Sequence, residues 1–134
     1  MKKSLLSAVF MISIYMLIAC ETAQTEDRST PAPVPTEFAG KTNPLGDEAA
    51  AAGAEVFAAN CELCHGPKGH GDGIAGQSLD PRPKNLANLQ AIVGDDYLFW
   101  RISEGKPGTS MVAWKGILTD EQIWQAVSFI RTLK

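Results

Sequence analysis

The densest chemistry in this chain lies between Asn60 and Gly73, NCELCHGPKGHGDG, which holds two of the three cysteines and both histidines. Cys61 and Cys64 stand three positions apart, and His65 follows at once. A disulfide across so short a spacing would close a tiny loop and constrain little of the unfolded chain. A structural zinc site usually takes four protein ligands. Cys61, Cys64, His65 and His70 would have to crowd within ten residues to supply them, and no second C-x-x-C is present. A thioredoxin-like redox pair belongs in a βαβ setting, which this sequence does not offer. What remains is C-x-x-C-H, the spacing of covalent c-type haem attachment. Two thiols so placed at the end of a helix reach the two vinyl groups on one side of a porphyrin, and the adjacent imidazole points at the iron. His70, five residues on in the same loop, reads as a solvated histidine.

Three helices are legible around this motif. GDEAAAAGAEVFAAN runs directly into Cys61, with Asp47 as the expected N-cap and acids in its first turn. DDYLFWRISEG is a second, with Asp95 as the expected cap, Gly105 as the stop, and Tyr97, Leu98 and Ile102 on one face. TDEQIWQAVSFIRTLK is the third; Thr119 and Gln122 form a capping box, and Ile123, Ala126, Val127 and Ile130 fall at helical spacing. Gly66 to Leu89 and Lys106 to Leu118 read as irregular loops, and no pair of alternating strands appears. The class is all-α. A long loop without secondary structure in so small a domain points to function and to a space filled by something other than protein.

The N-terminus begins MKKSLLSAVFMISIYMLIAC: two lysines, then fifteen apolar or small residues from Leu5 to Ala19. That run is short for a membrane span and has the layout of an export signal. Its end, LIAC, resembles the lipobox of bacterial lipoproteins, in which the cut falls before the cysteine and the cysteine becomes the lipid-modified first residue. Residues 1–19 are therefore expected to be a lipoprotein signal peptide and Cys20 the lipid anchor. Residues 20–46, polar and carrying Pro31, Pro33, Pro35 and Pro44, read as a Pro-rich tether, about 28 Å long as a coil and up to about 80 Å if extended. Residues 47–134 are left for one domain. Without the two signal lysines the chain has ten basic against fifteen acidic residues, a balance that argues against a nucleic-acid partner.

From about Asp47 onward the chain resembles the class I, monohaem His/Met cytochromes c, on the motifs CELCHGPKGHGDG, GTSMVAW and LTDEQIWQAVSFIRTL. The resemblance implies a small cytochrome c fold in which an N-terminal and a C-terminal helix cross through a small and an aromatic residue. Gly53 and Phe57 match one side, Ala126 and Phe129 the other. It implies one covalent haem c on Cys61 and Cys64, with His65 as the proximal axial ligand. It also implies a proline carbonyl after the motif to receive the second ring N–H of His65; Pro83 fits that role. Met111, the only methionine beyond the signal, matches the family's distal loop as the sixth ligand, although Val112 stands where a proline commonly follows. The implied function is one-electron transfer between respiratory redox partners rather than enzymatic catalysis, by an exported, membrane-anchored lipoprotein facing the periplasm or the outer cell surface. A fixed subunit of a membrane oxidoreductase complex, or a ligand-binding haem sensor or enzyme, are the alternatives.

Overall fold

The computed structural model describes residues 30–134, of which Ala32–Lys134 form one compact unit. The expected signal segment 1–19 and Cys20 lie outside the described residues. The helices run in the order α1 (Ala50–Asn60), α2 (Glu62–His65), α3 (Leu86–Gln90), α4 (Asp95–Glu104) and α5 (Asp120–Thr132), with 3-10 turns at Asp47–Ala49 and Gly76–Ser78. Among the described residues there is no strand, only an isolated bridge between Lys115 and Leu118. The all-α expectation holds. No helix among them is long and apolar enough to cross a membrane.

The core is built where α1 crosses α5. Ile123, Ala126 and Val127 of α5 are completely buried, and Phe57 of α1 is nearly so. The helices approach until backbone meets backbone: a Cβ placed on Gly53 would lie 1.9 Å from the carbonyl oxygen of Gln125 and 3.0 Å from Cβ of Phe129. One turn further on, the rings of Phe57 and Phe129 sit 5.0 Å apart at a tilt of 50°. The expected small-and-aromatic crossing is present, and Gly53 lets it close. α5 starts with the expected capping box, Thr119 Oγ1 accepting from the Gln122 amide at 3.2 Å and Gln122 Oε1 accepting from the Thr119 amide at 2.9 Å.

The two expected aspartate caps are not made. Asp47 opens a 3-10 turn behind Gly46, and α1 starts from Ala49 with no side-chain cap. Asp95 is the first residue of α4, behind Gly94, and its carboxylate is drawn to distant partners. It accepts from the Asn43 amide at 3.1 Å and from Arg131 Nε at 2.8 Å, with Nη2 of Arg131 at 2.7 Å. Arg131, near the end of α5, also donates to the carbonyls of Gln90 and, at 3.0 Å, of Val93. One guanidinium thus ties α5 to the end of α3, the link after it and the start of α4, through charge-assisted bonds that are stronger than neutral ones.

The expected tether is shortened by the structure. From Ala32 the chain belongs to the folded unit, and residues 32–46 form a strap across α4 and α5. Phe38 is buried, its ring 6.3 Å from that of Phe99. Gly40 N–H donates to Asp96 at 2.9 Å. Asn43 Nδ2 donates to Ser128 Oγ at 2.8 Å and to the Trp124 carbonyl at 3.1 Å. A proline-rich composition argued against independent folding, but an apolar ring and an amide suffice to fix this segment on an existing surface. The strap also explains α4. Tyr97, expected inside, is half-buried, whereas Phe99 is buried between Phe38 and Trp124, on which it stacks at 4.1 Å and 24°.

Alanine in place of glycine within a helix normally stabilises by about 0.5–1 kcal/mol. At Gly53 the sign reverses, because the added methyl group must displace the backbone of α5. Gly53→Ala is expected to lower stability by about 1–3 kcal/mol, the range for overpacking, whereas Ala59→Gly, at an exposed site on the same helix, costs less than about 1 kcal/mol. Thermal unfolding of the purified holoprotein checks both.

Candidate functional site

α1 ends where the chemistry begins. The Cys61 amide closes the last turn on the Phe57 carbonyl at 2.8 Å, and the Cys61 carbonyl accepts from the Cys64 and His65 amides at 3.2 and 2.9 Å. The single turn of α2 therefore puts Cys61 and Cys64 on adjacent positions of one face, with His65 beside them. Gly66, at φ 78°, stops the turn, and Gly71 N–H returns to the His65 carbonyl at 2.8 Å. The loop is pressed against the motif at two further glycines. A Cβ on Gly73 would meet the Leu63 carbonyl at 2.5 Å, and one on Gly76 the Cys64 carbonyl at 2.2 Å. The glycines between 66 and 76 thus let the backbone wrap close round the C-x-x-C-H turn.

No disulfide joins Cys61 and Cys64, and no three His, Cys, Asp or Glu side chains converge as a metal site among the described residues. Burial pushes the Cys61 thiol up to about 11, and the neighbouring Cys64 adds to the rise. Burial likewise lowers the His65 imidazole from its ordinary value, opposed in part by the backbone of Lys84. The ring is thus kept neutral, the form in which a nitrogen lone pair can ligate a metal. Its Nδ1 is buried without a partner in hydrogen-bonding geometry, so the Lys84 backbone acts on it from beyond a proper hydrogen bond.

That backbone group was expected to belong to Pro83. The Pro83 carbonyl faces Gly71 instead, 2.3 Å from where a Cβ would stand. The next residue along, Lys84, is the one that favours the protonated ring. His70 is exposed, with Nε2 3.4 Å from the carbonyl oxygen of Lys134.

Met111 lies on the loop between α4 and α5, half-buried against the core. The loop is strapped to α4 by backbone bonds. The Trp114 and Lys115 amides donate to the Ile102 and Ser103 carbonyls, each at 3.1 Å, and the Met111 carbonyl accepts from Lys106 N–H at 2.9 Å. Thr109 Oγ1 accepts from the Met111 amide at 3.2 Å. Gly105, at φ 66°, makes the turn, and a Cβ there would lie 2.6 Å from the Met111 carbonyl oxygen.

Cys61 and Met111 pack against the same apolar core, and the His65 ring lies 6.5 Å from that of Phe57; two cysteines, an imidazole and a thioether are donors that suit an iron porphyrin. Three buried polar side-chain atoms lack a partner among the described residues: His65 Nδ1, Arg101 Nε and Ser103 Oγ. They lie on α2, which carries the attachment motif, and on α4, which braces Met111. Arg101, which sequence reasoning did not single out, lies flat over Trp100 at 3.8 Å. A hollow of about 360 Å³ sits apart from the cysteines, between Glu37 and Phe38 of the strap and Arg101, Gly105 and Pro107.

Crossed terminal helices, a C-x-x-C-H turn between them and a methionine loop before the last helix define a monohaem c-type cytochrome. The chain belongs to the family described as cytochrome C oxidase, cbb3-type, subunit III, whose model matches residues 48–130, and a covalently bound haem c follows from that membership. No curated protein sequence matches it. Among solved structures, a component of the Kuenenia stuttgartiensis reducing HAO-like protein complex is similar in fold, with a TM-score of 0.57 and 18% identity over 79% of this chain. The match takes in 48% of that chain, so this protein spans about half its length. Membership of this family implies electron transfer as the activity class.

Proposed function

We propose that this chain is a lipid-anchored carrier of single electrons, exported and facing the periplasm or the outer cell surface, and not an enzyme. Cys61 and Cys64 would hold the haem by thioether bonds, His65 and Met111 would ligate its iron, and Cys20 would carry the lipid. The observation that supports this best is the pairing of two independently braced ligand loops. The C-x-x-C-H turn is wrapped by close glycine contacts, and the Met111 loop is bonded along its backbone to α4.

When bound, the haem supplies the ferric–ferrous couple. The chain's residues do the rest. Burial keeps the His65 imidazole neutral and its lone pair available. The soft Met111 sulfur favours the reduced iron and raises the potential relative to a second histidine. With His65 and Met111 both supplying ligands to the iron, no position would be left open for a substrate, which is why carriage of electrons is preferred to catalysis or gas sensing.

A second reading has support of its own. The matching family is described as an oxidase subunit, and the structural neighbour is described as part of a complex. In that reading the chain is a fixed electron-transfer subunit, and its donor and acceptor are redox proteins in the same membrane assembly. Mild solubilisation followed by haem-stained native gels separates the two: a carrier runs alone, whereas a subunit runs with its complex.

The oxidised protein is expected to show the weak near-infrared sulfur-to-iron charge-transfer band. Met111→Ala is expected to abolish it and to open the ferrous protein to carbon monoxide. A wild-type protein without the band would remove Met111 from the iron. Cys20→Ala is expected to release a soluble haem protein or to stall processing. A processed variant still held in the membrane with no bound partner would rule out the lipid anchor.

A further inference from the structure

The strap at residues 32–46 does more than cover apolar surface. It touches α4 at three points along its length. The Asn43 amide reaches Asp95 and the Gly40 amide reaches Asp96, both in the first turn, and Phe38 packs on Phe99 in the middle. Towards the end of α4, Glu37 and Phe38 line the hollow whose other walls include Gly105 and Pro107, the first residues of the Met111 loop. From the opposite side α4 is held by Trp124 stacked on Phe99 and by Arg131 on Asp95. It is thus clamped between α5 and a segment that arrives from before α1.

The last turn of α4 sets the height of the Met111 loop. Ile102 and Ser103 give their carbonyls to Trp114 and Lys115, and Gly105 lies against the Met111 backbone. Any outward tilt of α4 carries that loop with it. A thioether is a weak ligand to iron whose contact depends on such bracing, since Met111 has no second bond to hold it there. We infer that Phe38, with Asn43, is a positioning element for Met111: by pressing α4 onto α5, the strap keeps the thioether seated on the iron. The inference rests on the reading of Met111 as the sixth ligand. It gives the N-terminal segment a role in the redox site, 73 positions away in sequence from the residue it acts on.

The test uses haem-loaded protein and the variants Phe38→Ala, Phe38→Leu and Asn43→Ala. Two readouts are compared in each: the temperature at which the near-infrared band is lost, and the temperature at which far-UV circular dichroism shows the helices melting. A purely structural strap lowers both together. A positioning strap separates them, so in Phe38→Ala the band fades well before the helices melt. Carbon monoxide binding to the native ferrous protein at 25 °C rises about tenfold in Phe38→Ala, the factor that corresponds to about 1.4 kcal/mol less hold on the sixth position. Phe38→Leu restores most of the wild-type behaviour, because an apolar wedge of similar size remains. Asn43→Ala, which leaves the ring in place, also loses the band before the helices melt and raises carbon monoxide binding, each by less than Phe38→Ala, and serves if Phe38→Ala fails to assemble. If the variants melt earlier while the band and the helices still disappear together, and carbon monoxide binding stays within twofold of wild type, the inference is overturned. A wild-type protein lacking the band would instead remove the underlying assignment of Met111, a result recognisable before any variant is made.

Discussion

Everything in this domain hangs on the crossing of α1 and α5 at Gly53. A side chain there would have to pass through the carbonyl of Gln125, so the two helices meet at backbone distance. That contact fixes where α1 ends and, because Cys61 closes its last turn on Phe57, where the attachment motif starts. It also places α5 so that Ile123, Ala126 and Val127 close the core and Arg131 can reach across to Asp95. The redox site is not an insert in a finished fold. Both its faces are extensions of the helix pair: one through the turn after α1, the other through α4, which α5 grips.

What could be read from the residues was what is encoded locally. The C-x-x-C-H turn, the capping box of α5 and the stop at Gly105 each lie within a few positions, and the physics that makes them is short-ranged. The crossing was also legible, because the family resemblance matched a glycine and a phenylalanine on one helix with an alanine and a phenylalanine on the other. The misses at Asp95 and Phe99 depend on partners far along the chain. Asp95 looked like a cap because aspartate before an apolar helix usually is one. Its actual partners include an amide 52 residues earlier and a guanidinium 36 residues later. Phe99 was left off the buried face because its cover comes from a segment whose composition gave no reason to expect folding. At Pro83 the signal was local and too coarse: its carbonyl lies against Gly71, the backbone acting on the His65 ring is that of Lys84, and His65 Nδ1 has no hydrogen-bond partner.

Polar groups do unusual work at the joints of so small a core. Asp95 and Arg131 share a partly buried ion pair, with side-chain exposures of 26% and 30%. Its guanidinium is also used by two backbone carbonyls, which satisfies most of its donors. Such an arrangement brings more specificity than net stability: it sets how α3, α4 and α5 fit together, where apolar contacts alone would permit sliding. Asn43 plays the same part for the strap, since one side-chain amide holds both the carbonyl of Trp124 and the hydroxyl of Ser128. The motifs of the family resemblance hold one side of each device, Arg131 and Ser128, but neither Asp95 nor Asn43.

The docking of the strap also sets a length. With the anchor proposed at Cys20, the chain available between lipid and folded unit is Glu21 to Pro31, eleven residues. Whatever conformation they adopt, their contour cannot exceed about 40 Å, less than half of what residues 21–46 would allow. On that proposal the domain would stay within a shallow layer over the bilayer, and its encounters would become nearly two-dimensional. A redox partner close to the lipid would meet it at a high effective concentration, and one deep in the aqueous phase seldom. The strap, by taking up chain, would then act as a ruler for the height at which partners can be met.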